Sequence, residues 1–164
     1  MSSSDRRTFL LALAALPVAG CGFTPVYKEG GAGRALIGRL RFNLIESRAG
    51  FVLLETLESR FGSADTAEFD VNIELMTEEK VLTLTAATSL DRITLKGGAV
   101  VHVTRHADQS EVFTDKLRET VHYTSSAETG VSRQAKLDAH DRLARALGEK
   151  IILRLSSTAR DWAG

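Results

Sequence analysis

The chain contains a single cysteine, Cys21, among its 164 residues. Because a second cysteine is missing, no internal disulfide can form, and the stability of the fold must come from its packed core. Basic and acidic residues are equal in number, 21 of each, which excludes a protein that binds nucleic acid through an overall positive charge. Any site for an anion must therefore be a local cluster of cations.

Long uncharged segments are also missing. The apolar run from Phe9 to Val18 is far shorter than the ~20 residues that a membrane-spanning helix needs, and no later stretch is both long and uncharged. We therefore expect that no helix of the mature protein crosses a membrane.

The residue patterns of common catalytic centres do not occur. There is no Gly-x-Ser-x-Gly motif, and no glycine-rich loop is followed by the lysine that a phosphate-binding loop requires. His102 and His106 are four residues apart, but they lie in or beside a β-rich run, which predicts solvated or packed side chains rather than metal ligands. Glu78 and Glu79 are typical of a solvated turn rather than a catalytic pair. The sequence predicts no enzyme, no cofactor and no metal.

Residues 1–20 have the three parts of a secretion signal: a cationic start, an apolar run and a pair of small residues. The last residues, Val18-Ala19-Gly20-Cys21, resemble the bacterial lipobox, in which the cysteine sulfur receives a diacylglyceryl group before the preceding peptide bond is cut. The alternative is an ordinary signal peptide followed by a coincidental cysteine. Arg6 and Arg7 also resemble a twin-arginine export signal, and the export route stays open. We predict cleavage before Cys21 and a lipid on its sulfur.

The mature chain divides into a tether and one domain. Residues 21–38 include a glycine-rich segment that favours flexible coil, so the lipidated N-terminus is predicted to be a tether. Residues 39–164 are close to the commonest size for one domain and have enough apolar content for a core.

The first half of this domain predicts a strand followed by a helix. Polar and apolar residues alternate from Arg39 to Leu44, as in a strand with one buried face. Ser47 can cap a helix that stops at Gly62. The apolar residues at helical spacing in this helix are expected to form its one buried side: Phe51, Leu54, Leu57 and Phe61.

The second half predicts a β-meander and a long helix. Alternation is clearest from Phe69 to Leu75, and Val81–Thr85 could continue that strand after a break. Further β-rich runs, Ala99–Arg105 and Glu111–Tyr123, are separated by the turn-forming pairs Gly97-Gly98 and Asp108-Gln109. A helix from Ser132 to Ser156 carries an apolar row at Ala135, Ala139, Leu143, Leu147, Ile151 and Leu155, widened by Ala146 and Ile152. The predicted fold is α+β, a single sheet of about four strands with two helices packed on it, in the order β-α-β-β-β-α.

Basic residues cluster in the turn-rich segment between the predicted strands. Arg92 and Lys96 lie there, and Arg105, Lys116 and Arg118 follow downstream. Arginine and lysine both suit phosphate, arginine through a planar fork and lysine as a point charge. Because acidic residues are interleaved with these cations, the alternative to a phosphate-binding site is ordinary surface charge.

The start of the mature chain resembles that of the LptE family, the lipoproteins of lipopolysaccharide assembly in Gram-negative bacteria. Members commonly open with Cys-Gly-Phe, a proline and a tyrosine, as here in Cys21-Gly22-Phe23-Thr24-Pro25-Val26-Tyr27. The predicted element order and the alanine-rich last helix, with Lys136-Leu137-Asp138-Ala139 and Arg142-Leu143-Ala144, extend the resemblance over most of the mature chain.

The resemblance implies a lipoprotein on the periplasmic face of the outer membrane, lodged inside the LptD β-barrel and assisting it in placing lipopolysaccharide. Gly22 is consistent with outer-membrane sorting. The resemblance to the LptE family further implies that Arg92, with Lys96 as a helper, contacts lipid A phosphates. The alternative is a pilotin for a secretin, or an accessory lipoprotein of a lipid transporter.

The lipobox generates a direct chemical prediction. Mass spectrometry of the mature N-terminus should show a lipid-modified Cys21 as the first residue. The Cys21→Ser variant should lack the modification yet leave a folded soluble body, because a domain with its own core does not need the lipid to fold. An unmodified N-terminus at another cleavage site would contradict the prediction.

Overall fold

A computed structural model describes residues 33–164 apart from 44, 65, 84–89 and 127–128. The predicted signal peptide, Cys21 and most of the predicted tether therefore lie outside the described residues. Within the described part, no helix combines the length and the apolar content that crossing a membrane requires.

The structure confirms the predicted α+β class and the order β-α-β-β-β-α. A short 3-10 turn, Arg34–Leu36, precedes the elements of the domain. These elements are β1 (Leu40–Phe42), α1 (Arg48–Phe61), β2 (Phe69–Thr83), β3 (Leu90–Arg105), β4 (Glu111–Ser126) and α2 (Thr129–Trp162).

The four strands form one mixed sheet in the order β1-β2-β3-β4. The strands β1 and β2 are parallel because α1 connects them, and the other neighbours are antiparallel. The short strand β1 pairs only with residues Phe69–Val71 of β2. The outer edge of β2 beyond Val71 therefore has no neighbouring strand among the described residues.

The long strands correct two sequence predictions. The strand β2 continues through Glu78 and Glu79, which pair with Lys96 and Leu95, so the predicted turn there is wrong. Gly97 and Gly98 were predicted as a turn, but they lie inside β3 and pair with β4. The predicted turn at Asp108-Gln109 is confirmed: Asp108 Oδ1 accepts a hydrogen bond from the Ser110 amide at 3.1 Å, and Gln109 has φ 57°.

Gly97 is needed for close packing, not for a turn. A Cβ at this position would lie 2.8 Å from Leu143 Cδ2 of α2, closer than such contacts normally come. The absence of a side chain therefore lets the buried row of α2 reach the sheet.

The helix α1 begins and ends as predicted, but it buries a different side. Ser47 Oγ accepts a hydrogen bond from the Gly50 amide at 3.0 Å, and Gly62 ends the helix with φ 76°. Phe51, predicted as a core residue, is 56 % exposed, and Leu54 is half-buried. The buried residues are Gly50, Leu53, Leu57 and Phe61. Gly50 fixes this rotation, since its Cβ position would fall 2.5 Å from the Ile45 carbonyl oxygen.

The helix α2 is longer than predicted and supplies much of the core. Its predicted row is buried from Ala139 to Leu155, with Ala135 only partly buried. Beyond the predicted end, Trp162 packs edge-to-face on Phe69, with 5.2 Å between ring centroids, and lies 6.0 Å from Phe113. The row is widened by Ala144 and Ile152, while Ala146 is half-buried. At 1.5 Å per residue α2 is about 51 Å long, enough to cross the whole sheet.

Side chains cap the outer edge of β4. The Lys116 and Thr120 amides donate to the carboxylates of Asp115 and Glu119, each at 2.8 Å. The edge carbonyl of Arg118 accepts from Lys150 Nζ at 2.9 Å, and that of His122 accepts from Arg142 at 3.3 Å. Lys150 also pairs with Glu119, and this hydrogen bond holds the pKa of the Glu119 carboxyl below its ordinary value. Much of the exposed edge is therefore blocked against pairing with another strand.

The contact between Leu143 and Gly97 predicts a specific pattern of stability. Leu143→Ala should lower the free energy of unfolding by about 2–5 kcal/mol, because it leaves a cavity under β3. Gly97→Ala alone should also destabilise, but the double variant should lose less than the sum, since the alanine methyl group then occupies the space that Leu143 vacates.

Urea denaturation of the three variants measures these free energies. A matched control is Leu153→Ala on the same helix, where the side chain is 62 % exposed and the change should stay within about 0.5 kcal/mol. Equal effects of Leu143→Ala and Leu153→Ala would contradict the assignment of Leu143 to the core.

Candidate functional site

The sheet has one face covered by helices and one open face. In β3 the odd-numbered side chains Leu95, Ala99, Val101 and Val103 are buried in the core. Because side chains alternate along a strand, Arg92 and Lys96 lie on the opposite, open face. The register places the side chains of Lys116 and Arg118 of β4 on this same face.

The structure corrects the predicted position of Arg92 and Lys96. Both lie within β3 rather than in a turn between strands: Arg92 pairs with Leu82 and Thr124, and Lys96 pairs with Glu78 and Thr120. Arg92 is two residues from the start of β3 and so lies near one end of the sheet. Four strand residues separate the two cations by about 13 Å along β3, so they are not adjacent on the open face.

The register instead brings Lys96 together with Arg118. Arg118 is opposite Gly98, which makes it the diagonal neighbour of Lys96, at a typical spacing of about 7–8 Å. Lys116 follows on the same face, opposite Val100. The alternation in Lys116-Leu117-Arg118 places these cations on one face, but the sequence did not show which residues of β3 would be their neighbours.

A shallow cavity of about 540 Å³ opens between these cations. Gly98 lies in its wall, and a Cβ added there would find only Met76 Cε, at 3.8 Å, and the Leu117 carbonyl oxygen, at 3.9 Å. The missing side chain thus contributes to the depression. Its other lining side chains on the open face are Met76, Glu78, Lys96, Arg118 and Thr120.

Four cations of α2 have carboxylate partners, whereas the cations of β3 and β4 on the open face have none among the described residues. Lys136, Arg142, Lys150 and Arg154 of α2 each pair with a carboxylate. No described carboxylate lies within 4.0 Å of the charged groups of Arg92, Lys96, Lys116 or Arg118. Even Glu78, opposite Lys96 in the register, makes no ion pair with it. These exposed cations are therefore available to an external anion.

The histidines of the predicted strand have separate carboxylate partners. His102 Nδ1 lies 2.8 Å from Glu111 Oε2, and His106 Nδ1 lies 2.7 Å from Asp70 Oδ2. The two rings therefore do not converge on one ligand. Among the residues that the structure describes, no group of three or more histidine, cysteine or acidic residues could hold a metal ion.

A second concave region is a groove of about 560 Å³ between the starts of α1 and α2, beside β2. Its lining includes Ala49, Leu75 and Leu137, which are apolar, and the cations Arg133 and Lys136. The sequence analysis did not identify this groove, because its lining comes from three distant segments without a local motif.

Glu79 of β2 forms hydrogen bonds with two residues of α2 that line the groove. Its carboxylate accepts hydrogen bonds from Lys136 Nζ at 3.0 Å and His140 Nε2 at 3.1 Å. Partial burial raises the pKa of the Glu79 carboxyl, but the bonds from His140 and Lys136 outweigh burial, and the net pKa is lowered. The hydrogen bond with Glu79 raises the pKa of Lys136. Both groups are therefore charged at neutral pH.

No protein-family model and no curated protein sequence matches the chain. Solved structures do match it. A protein from Caulobacter crescentus CB15, provisionally named a lipoprotein, is 18 % identical with a TM-score of 0.63, over 77 % of this chain and 93 % of that one. The rare lipoprotein B of Shewanella oneidensis is 12 % identical with a TM-score of 0.58, over 76 % and 97 % of the two chains.

An uncharacterised lipoprotein B from Nitrosomonas europaea is 13 % identical with a TM-score of 0.56, over 85 % of this chain and 93 % of that one. At these identities the likeness shows the fold alone. The chain therefore has the α+β fold that these bacterial proteins share.

Proposed function

We propose that this protein is an outer-membrane lipoprotein, anchored through Cys21 on the periplasmic face, that plugs an LptD-type β-barrel and assists it in assembling lipopolysaccharide. One observation carries the proposal: a chain that opens with a lipobox and an LptE-like Cys-Gly-Phe start has the fold of solved bacterial lipoproteins, among them a rare lipoprotein B. The motif lies at the start of the mature chain and the fold belongs to the domain that follows, and both support a bacterial lipoprotein.

The surface of the domain suits the lumen of a barrel. A barrel lumen is polar, so a plug needs charged and hydrogen-bonding side chains rather than a large apolar patch. The open face of the sheet carries such side chains on all three long strands. The large apolar side chains exposed in the described part are dispersed over α1, β2, α2 and the turn before β1: Phe51, Met76, Val81, Leu153 and Ile37.

The open face also supplies a contact for the phosphates of lipopolysaccharide. Lys96 and Arg118 lie close enough to share one phosphate group, with the cavity at Gly98 between them. Arg92, about 13 Å along β3, would contact a second phosphate. The proposal therefore keeps Arg92 and Lys96 as ligands for the lipid and adds Arg118 as the nearer partner of Lys96.

The barrel partner is tested by coexpression with the LptD of the same organism. A tagged chain should copurify with LptD in detergent as a stoichiometric complex, and the Cys21→Ser variant should retain the complex if the body alone makes the contact. Absence of LptD, together with copurification of a secretin or an inner-membrane lipid transporter, would overturn the proposal in favour of the alternative.

The lipid contact is tested with purified lipopolysaccharide. The Lys96→Ala, Arg118→Ala double variant should bind it at least about fivefold more weakly and with a smaller dependence on salt, because charge-assisted hydrogen bonds to phosphate are lost. Arg92→Ala should weaken binding by a smaller and independent factor.

The matched control removes two cations from the other side of the molecule, with Arg145→Ala and Arg160→Ala on exposed positions of α2. This control has the same net charge as the first variant and should bind lipopolysaccharide as the wild type does. Equal weakening in both double variants would mean that only net charge matters, and the specific contact would be rejected. Circular dichroism melting should show unchanged stability in all of them.

A further inference from the structure

The two long edges of the sheet, at β4 and at β2, differ in how far other groups cover their main chain. Side chains of β4 and α2 cap the outer edge of β4, as described above. On the other side, β1 covers only the first residues of β2, up to Val71. The rest of β2 forms an edge with no described strand beside it.

The hydrogen bonds at the start of β2 show which of its residues point outward. The Phe69 amide donates to the Arg39 carbonyl at 3.1 Å, and the Val71 carbonyl accepts from the Asn43 amide at 3.1 Å. Odd-numbered residues of β2 therefore direct their main-chain groups away from β3. By the same alternation, Leu75, Thr77, Glu79 and Val81 present N–H and C=O groups at the free edge.

This edge has the features of a strand template. In the described part of the chain, nothing forms a hydrogen bond with the outward groups of Leu75, Thr77, Glu79 or Val81. The pairing of β2 with β3 has no register shift from Phe69 to Thr83, so the edge is continuous. It contains no proline, and Val81 is 55 % exposed. An uncapped edge of this kind pairs readily with an added strand.

The space beside the edge can hold the side chains of such a strand. On the helix side lies the groove of about 560 Å³, with Leu75 and Thr77 of the edge in its wall and Ala49 and Leu137 opposite. Every second side chain of an added strand would enter this groove, and its partly apolar lining favours apolar side chains.

On the open face the edge carries Glu74, Glu78 and the cation Lys80, and Lys96 lies opposite Glu78 in β3. Glu74 and Glu78 are exposed, and no described cation pairs with either carboxylate. The other side chains of an added strand would lie beside these two residues. Lysine or arginine at those positions would complement them.

We propose that the edge of β2 from Leu75 to Val81 binds an extended segment of a partner protein in which basic residues alternate with apolar residues. The main chain of the segment continues the sheet, its apolar side chains enter the groove, and its basic side chains contact Glu74 and Glu78. This inference rests on the geometry of β2 and does not depend on the proposed function.

The test uses an eight-residue peptide of alternating lysine and valine, with amide hydrogen exchange of the purified chain followed by NMR. Without peptide, the Thr77 and Glu79 amides should exchange quickly, while those of Met76 and Glu78, which face β3, should be protected. At a peptide concentration about ten times its Kd, the outward amides from Leu75 to Val81 should exchange about tenfold more slowly. A peptide N-methylated on its docking edge should have no effect.

Charge reversal tests the predicted specificity. The Glu74→Lys, Glu78→Lys variant should lose protection by the lysine peptide and gain it with a glutamate–valine peptide. The matched control reverses two exposed glutamates elsewhere, Glu55→Lys and Glu149→Lys, and should behave as the wild type does. Equal responses in the two variants, or no protection of the outward amides in the wild type, would overturn the proposal.

Protection already present without peptide would also overturn it, and its concentration dependence would identify the occupant. Protection that rises with protein concentration would mean that a second copy of the chain pairs with the edge. Protection independent of concentration would mean that a segment of the same chain, such as residues 21–32, covers it.

Discussion

The packing of one helix on one face of the sheet decides the rest of this structure. The row from Ala139 to Leu155 of α2 is buried, and it approaches β3 closely because Gly97 has no side chain in the path of Leu143. Burial of apolar side chains is the main driving force available, since the chain has one cysteine and can form no internal disulfide. Once α2 is in place, the sheet has an apolar covered side and a polar open side.

The difference between the two sides of the sheet also determines which cations have carboxylate partners. Cations on α2 find carboxylates on β2 and β4 within reach, so Lys136, Lys150 and Arg154 are paired. Cations on the opposite face have no helix above them, and Lys96 and Arg118 keep no described carboxylate partner. Cations of the same types thus connect α2 to the sheet on one face and remain available for binding on the other. The difference comes from position, not from residue type.

The sidedness extends to the edges of the sheet. The edge of β4 lies below α2, whose Arg142 and Lys150 satisfy its carbonyls. The edge of β2 is left open because β1 ends at Phe42, where the chain turns toward α1. A protein that plugs a barrel and contacts a lipid would need both a polar face and a means of joining its partner. The proposed lipid contact and the proposed strand-binding edge therefore lie at different places on the same sheet.

The sequence by itself determined the features that depend on near neighbours in the chain. These are the order β-α-β-β-β-α, the start of α1 at the Ser47 cap, its end at Gly62 and the buried row of α2, since caps and periodicity act within a few residues. Whether Cys21 carries a lipid is also a prediction from local sequence. Only the tertiary structure decided the rest. Gly97 lies inside a strand because long-range pairing and contact with Leu143 override its turn preference, and α1 buries Leu53 instead of Phe51 because Gly50 packs on Ile45. Lys96 joins Arg118 because strand register, which no local pattern specifies, sets which side chains become neighbours.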